Sequence, residues 1–162
     1  MSGYLDELQD SVVETLLKKV TALKLCQITP DEAYGGGPFR LPGERPAAFV
    51  SITKAELANR DGTRRLIFDT FWTVLVLSGR GRESQRLNEC RELAIEVSWA
   101  IENEHFGQEN VEPARVQDIA LASLDPELAK GGTIWEVNFS QVVYLDKEQK
   151  EKDEEEALRL LL

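Results

Sequence analysis

Residues Thr133–Leu145, TIWEVNFSQVVYL, constrain the fold more than any other stretch of the chain. Trp135, Val137, Phe139, Val143 and Leu145 fall on one side of a period-two pattern. Glu136, Asn138 and Ser140 fall on the other, where Val142 and Tyr144 interrupt the polarity. Successive strand side chains point to opposite faces, so alternation sustained over this length predicts a half-buried β-strand. Its aromatic side needs an apolar layer to cover it. Two amphipathic helical segments earlier in the chain supply that layer, and the expectation is a soluble α+β domain.

The first of these segments is Tyr4–Leu25. Leu5, Leu8, Val12, Leu16, Val20 and Leu23 recur at intervals of three and four and form one stripe. Asp6 and Glu7 near its start and Lys18, Lys19 and Lys24 near its end match the helix dipole. The second is Ser84–Glu104, with Leu87, Cys90, Ala94, Val97 and Ile101 on its apolar side. Ser84 is its candidate N-cap, and His105, Phe106 and Gly107 its stop. Between the helices, Pro46–Lys54 reads as a short strand. Leu66–Leu77 reads as a long one, buried on both faces apart from Asp69, Thr70 and Thr73. A turn at Asn59–Gly62 joins them into an open hairpin whose loop is about ten residues long. Ser78–Glu83 is a basic turn. After the second helix, Val111–Leu124 reads as a strand of mixed faces, Asp125–Gly132 as a loop or single helical turn, and Thr133–Leu145 closes a second hairpin. These elements bound one domain, Tyr4–Leu145. Residues 146–162 form a charged C-terminal helix or tail, in which Glu148–Lys152 and Glu155–Arg159 are i,i+4 pairs in the favourable order.

The chain has 162 residues and a formal net charge of −10. That charge opposes binding to nucleic acid or anionic membranes, because phosphate recognition runs on Lys and Arg. No apolar run approaches the roughly 18 residues of a membrane span, and the N-terminus has no secretory pattern. Cys26 and Cys90 are expected to be small buried hydrophobes in a reducing compartment, with a disulfide or reactive thiol as the alternative. The Gly/Pro-rich segment Gln27–Glu44 lacks the Lys-Ser/Thr of a phosphate loop, and no helical pattern follows it. It reads as a surface loop, or as a loop whose Tyr34, Phe39 and Leu41 contact a partner subunit. His105, the only histidine, has no local nucleophile or orienting partner and reads as a surface or helix-end residue. Asp69 is expected on an exposed strand face or beside an arginine. Arg64 and Arg65 at one end of a strand and Arg80, Arg82 and Arg86 at the other read as rim contacts rather than a nucleic-acid track. No catalytic, metal-binding or cofactor-binding set is expected, and the chain is not expected to be an enzyme.

The order is helix, long Gly/Pro loop, strand, long hairpin, strand, helix, strand, strand. With RPAAFVSI opening the first strand and WEVNFSQVVYL closing the domain, it resembles the small tail-terminator and minor tail proteins of tailed phages. The nearest likeness is to Mu-like contractile tails and the lambda-type terminator fold. The resemblance spans roughly Tyr4–Leu145 and leaves the acidic tail outside its pattern. It implies a four- to five-stranded mixed, mostly antiparallel sheet with two main helices on one face. It also implies a hexameric ring that caps the tail tube and sheath and presents a surface to the head. The implied partners are other copies of the chain, tube and sheath proteins and head-tail connector proteins. DNA would pass without being specifically bound, no membrane would be involved, and the protein would reside in the virion after assembly in the host cytoplasm. Candidate interface residues are Phe39 and Leu41 in the loop, Arg80 and Arg82 in the turn, and Leu160 and Leu161 in the tail. Two alternatives stand beside this expectation. One is a neck or baseplate adaptor of a phage or contractile injection system. The other is a small ligand-binding or enzymatic α+β domain.

Overall fold

A computed structural model describes residues 3–30, 45–60, 65–78, 83–122 and 134–161. Along the chain the elements are α1 (Asp6–Lys19), β1 (Leu25–Ile28), β2 (Ala47–Arg60), β3 (Arg65–Leu77), α2 (Glu83–Ile101), β4 (Arg115–Leu121), β5 (Ile134–Asp146) and α3 (Lys147–Leu161). The strands form one sheet in the order β1-β2-β3-β5-β4. β1 pairs parallel with β2, and every other pair is antiparallel. The fold is therefore α+β, as the sequence pattern leads one to expect, and its five-stranded mixed sheet falls within the four to five strands that the resemblance implies.

Register decides which residues meet. Leu77 lies opposite Ile134, Thr73 opposite Asn138 and Arg65 opposite Asp146, so β3 and β5 run side by side without a slip. Even-numbered residues of β3 and odd-numbered residues of β5 share the face that α1 and α2 cover. There Trp72, Val74 and Val76 meet Val137, Phe139 and Val143, with Ala48 and Val50 from β2. α1 contributes Leu8, Val12 and Leu16, while α2 contributes Cys90, Leu93, Ala94, Val97 and Ile101. Trp72 stacks on Phe139 with ring centroids 5.3 Å apart, and Phe106 packs against the same ring at 6.2 Å. Such pairs add about 0.5–1.5 kcal/mol beyond the area they bury. A small second cluster, Phe49, Leu77 and Ile134, is buried on the opposite side of the sheet.

Two polar residues are sealed into the helix-covered side. Thr70 is fully buried, and Gln141 is 2% exposed. The indole Nε1–H of Trp72 donates to Thr70 Oγ1, whose hydroxyl donates to the Gln141 carbonyl, both at 2.7 Å. Gln141 Nε2 donates to the carbonyls of Glu104 (3.2 Å) and Glu112 (2.9 Å). Buried polar groups persist where most of their hydrogen bonds are met, and of these side chains only Gln141 Oε1 has no hydrogen-bond partner among the described residues. Here the bonds fasten the segment between α2 and β4 onto the sheet.

Several elements depart from the sequence expectation. The first helix ends at Lys19, not Leu25: Val20 leaves helical geometry, with φ −103° and ψ 84°. Val20 and Leu23 stay buried at helical spacing, but they do so in a turn. The chain then forms β1, so Gln27 and Ile28 belong to a strand rather than to the Gly/Pro loop. β2 runs on to Arg60, and the hairpin's connection shrinks from about ten residues to 61–64. Bulges between Ile52 and Lys54 and between Leu57 and Asn59 let the ladder continue where alternation fails. β3 is not buried on both faces, since Phe71, Thr73 and Leu75 are only half-buried on the helix-free side. Thr70, expected as an exposed exception, is instead in the core. α2 begins at Glu83, so Ser84 lies inside its first turn, and it ends at Ile101 rather than Glu104. Asn103 follows with φ 63°, the left-handed conformation asparagine tolerates at a helix end, and its N–H reaches the Ala114 carbonyl at 2.9 Å. β4 is confined to Arg115–Leu121, with Val111 making a single bridge to Val143. Of the two forms open to residues 146–162, a helix is found over Lys147–Leu161. Asn59 and Arg60, expected in a turn, belong to β2, while residues 61–62 of that turn, residues 79–82 of Ser78–Glu83 and the expected loop at Asp125–Gly132 lie outside the described residues.

Candidate interaction surface

The side of the sheet without helices is a mixed surface. Asn138 is its hub: its side-chain oxygen accepts from Thr73 Oγ1 at 2.7 Å, and its amide donates to Asp118 at 2.8 Å and Glu136 at 3.2 Å. Ser51 Oγ donates to the Thr73 carbonyl at 3.3 Å, so linked polar side chains cross four strands. Toward the far end of β3 the surface turns apolar and aromatic. Ile67, Phe71, Val142 and Tyr144 are half-buried there. Lys54 Nζ lies 5.8 Å from the Phe71 ring, and the Arg65 guanidinium lies 4.4 Å from the Tyr144 ring. Tyr144 donates its hydroxyl proton to Glu112, and that carboxylate raises the phenol's pKa above its ordinary value. Asp69 sits on this face, half-buried, opposite Glu56 and Val142.

α3 leaves β5 without a linker, Asp146 ending one and Lys147 starting the other. Among those of its residues with described side chains, only Glu154 is not exposed. Leu158, Leu160 and Leu161 are 61%, 84% and 83% exposed. Between α3 and the body lies an open cleft of about 820 Å³. Leu8, Val143 and Leu145 lie among its walls, with Tyr4 and Tyr144 beside them, and Ala157 faces them from α3. Among the described residues, Glu7, Glu109, Asp146, Asp153 and Glu154 line it.

Of the residues expected at an interface, Leu160 and Leu161 are adjacent and exposed near the end of α3. Phe39, Leu41, Arg80 and Arg82 lie outside the described residues. Sequence reasoning missed Trp99, 78% exposed on the outer side of α2, and Leu121, 58% exposed on the edge strand β4. The signal for Trp99 was present, because it falls on the opposite side of the helix from Ala94 and Val97. The cleft had no such signal, since four separated segments build it.

Neither Cys26 nor Cys90 is in a disulfide and both are buried, so the disulfide alternative is set aside. Burial pushes the Cys26 thiol up to about 12 and raises Cys90 as well, which disfavours the thiolate needed for nucleophilic chemistry. His105 is exposed beyond the end of α2. Among the described residues no group of three or more His, Cys, Asp or Glu side chains could hold a metal ion. Among them, too, no helix is long and apolar enough to cross a membrane. No protein-family model matches the sequence, and no curated protein matches it either.

Proposed function

We propose that this chain is a structural assembly subunit, a tail terminator that closes into a ring on the tail tube and sheath and joins them to the head. The observation that carries the reading is α3. It presents leucines to water at Leu158, Leu160 and Leu161, and its own body does not cover them. Side chains of this kind on a charged helix are expected where another subunit covers them. The half-buried apolar end of the helix-free face, around Phe71 and Val142, is a second surface of the same character. The five-stranded mixed sheet with α1 and α2 on one side is compatible with the architecture the resemblance implies. Function in such a part is steric and electrostatic. A ring of subunits, each carrying −10, surrounds passing DNA with like charge and so avoids holding it.

The test is solution mass by light scattering, followed by negative-stain microscopy. A ring is expected at six times 18.3 kDa, and its addition to polymerising tube protein is expected to stop elongation. A ring that leaves elongation untouched would instead be a neck or baseplate adaptor. A monomer at micromolar concentration would sink the assembly reading altogether.

A further inference from the structure

We propose that neighbouring copies of this chain join through their sheets, the β4 edge of one pairing antiparallel with the β1 edge of the next. The inference deepens the ring reading, and rests on it for the identity of the partner, by naming the surfaces through which copies meet. β1 and β4 end the sheet, and among the described residues no strand flanks either on its outer side. An open edge offers its outward N–H and C=O groups to another strand.

Hydrogen bonding fixes which groups those are. Backbone direction alternates along a strand, so one ladder bond sets the rest. Just past β4, Ala122 N–H donates to the Ile134 carbonyl at 2.9 Å, in the register that sets Leu121 against Trp135. Ala120 and Ala122 therefore turn to β5, and Ile119 and Leu121 turn outward. At the other end Thr29 N–H donates to the Val50 carbonyl at 2.8 Å, so Gln27 turns to β2 while Cys26 and Ile28 turn outward. All four outward residues carry their side chains on the helix-covered side, the side of their partners Val137, Trp135, Ala48 and Val50. One parallel and three antiparallel pairings separate β1 from β4, so the two edges run in opposite directions. A copy set beside another with its helices on the same side thus meets it antiparallel, outward residues against outward residues. The register that uses all of them sets Ile119 against Ile28 and Leu121 against Cys26, and each such pair exchanges both backbone bonds.

The side chains fit this junction. Ile28 and Leu121 are 40% and 58% exposed, and the pairing brings them onto one face, where each covers the other's neighbour. Thr29 is only 6% exposed, yet its Oγ1 has no hydrogen-bond partner among the described residues. The same register sets Thr29 against Asp118 of the next copy on the helix-free side, close enough for a cross-strand bond. Asn138 takes Asp118 Oδ1 at 2.8 Å, and a carboxylate accepts at both oxygens, so Oδ2 can receive the Thr29 hydroxyl proton. Beyond Ile119 the ladder stops, because the Val116 N–H is already held by the Glu102 carboxylate at 2.8 Å.

Two variants test the pairing, Ile28→Cys and Ile119→Cys, each in a chain that also carries Cys26→Ala. Partners of this kind lie about 5.5 Å apart at Cα, within reach of a disulfide, whereas three strands lie between β1 and β4 of one chain. The variants are checked for folding by circular dichroism, weighed by light scattering, mixed, oxidised and run on a non-reducing gel. The expected result is a covalent dimer in the mixture and none in either variant alone. Dimer in one variant alone would mean that like edges meet, and would overturn the proposal. Absence of dimer from the mixture would overturn it too, and a ring seen by mass in that case would leave the ring reading standing without this junction. Dimer in the mixture without a ring would support the junction and count against the ring. Leu121→Pro supplies a second measurement, since it removes an outward N–H that no bond within the sheet uses. It is expected to lower the assembled mass while the dilute monomer melts as the native monomer does. A lower melting temperature of that monomer would show the edge filled from within its own chain and would overturn the proposal.

Discussion

Gln141 sits where the alternation of β5 calls for an apolar side chain. Its Nε2 holds two carbonyls from the segment between α2 and β4, Glu104 and Glu112. Gln141→Leu would fill the same space and leave both carbonyls without that donor. The Glu104 carbonyl keeps a donor in the Ala114 N–H at 2.9 Å, so the loss falls on the Glu112 carbonyl and costs about 1 kcal/mol. Urea unfolding of this variant is expected to show a lower midpoint at unchanged slope. Glu104 marks the same segment from outside. Its side chain pairs with Lys19, whose hydrogen bond is the leading reason its carboxyl titrates below the ordinary 4.5. A depressed carboxylate stabilises the fold above its unfolded pKa, and that contribution fades as pH falls through the lower folded value. Lys19 is 48% exposed, so the pair is worth less than about 1 kcal/mol. Thermal unfolding of Glu104→Gln is thus expected to show a slight loss at neutral pH and convergence with the native chain in acid below pH 4.5.

Among the elements, legibility followed burial on one face. β5, β3 and α2 could be read because each sets a covered side against a wetter one, and side-chain chemistry reports that contrast. β1 was hidden because Val20 and Leu23 continue the stripe of α1 after its helical hydrogen bonding has ended. The outer half of β2, Thr53–Asn59, was hidden for the opposite reason: its residues are exposed on both faces, so no alternation marks a ladder that bulges keep in register. Phe106 is buried at a positive φ of 54°, a geometry no pattern of residue types announces. α3 was legible as a charged helix from its i,i+4 pairs, but its separation from the body was not, because separation is a relation between segments. That separation makes a prediction. A chain ending at Asp146 is expected to unfold within about 0.5 kcal/mol of the full chain, the range of surface changes, while its sedimentation shifts to that of a monomer. A large drop in stability would mean that α3 completes the core.

For the whole molecule, charge and topology bear on the assembly proposed above. Copies that each carry −10 repel one another, and salt screens exposed charges within about 10 Å at 0.1 M. The mass that tests ring formation is therefore expected to rise with ionic strength. Of the candidate site, the leucines of α3 were visible in the chain as an abrupt apolar run after a charged one. The acidic rim was not, since Glu7, Glu109 and Asp153 come together only through the fold. β5 is the last strand in sequence, yet it lies between β3 and β4. A nascent polypeptide that stalls on the ribosome before residue 146 thus lacks the plank that joins the two halves of its sheet. Synthesis therefore completes the sheet before it delivers α3, so the exposed leucines reach water only once the body behind them is able to close.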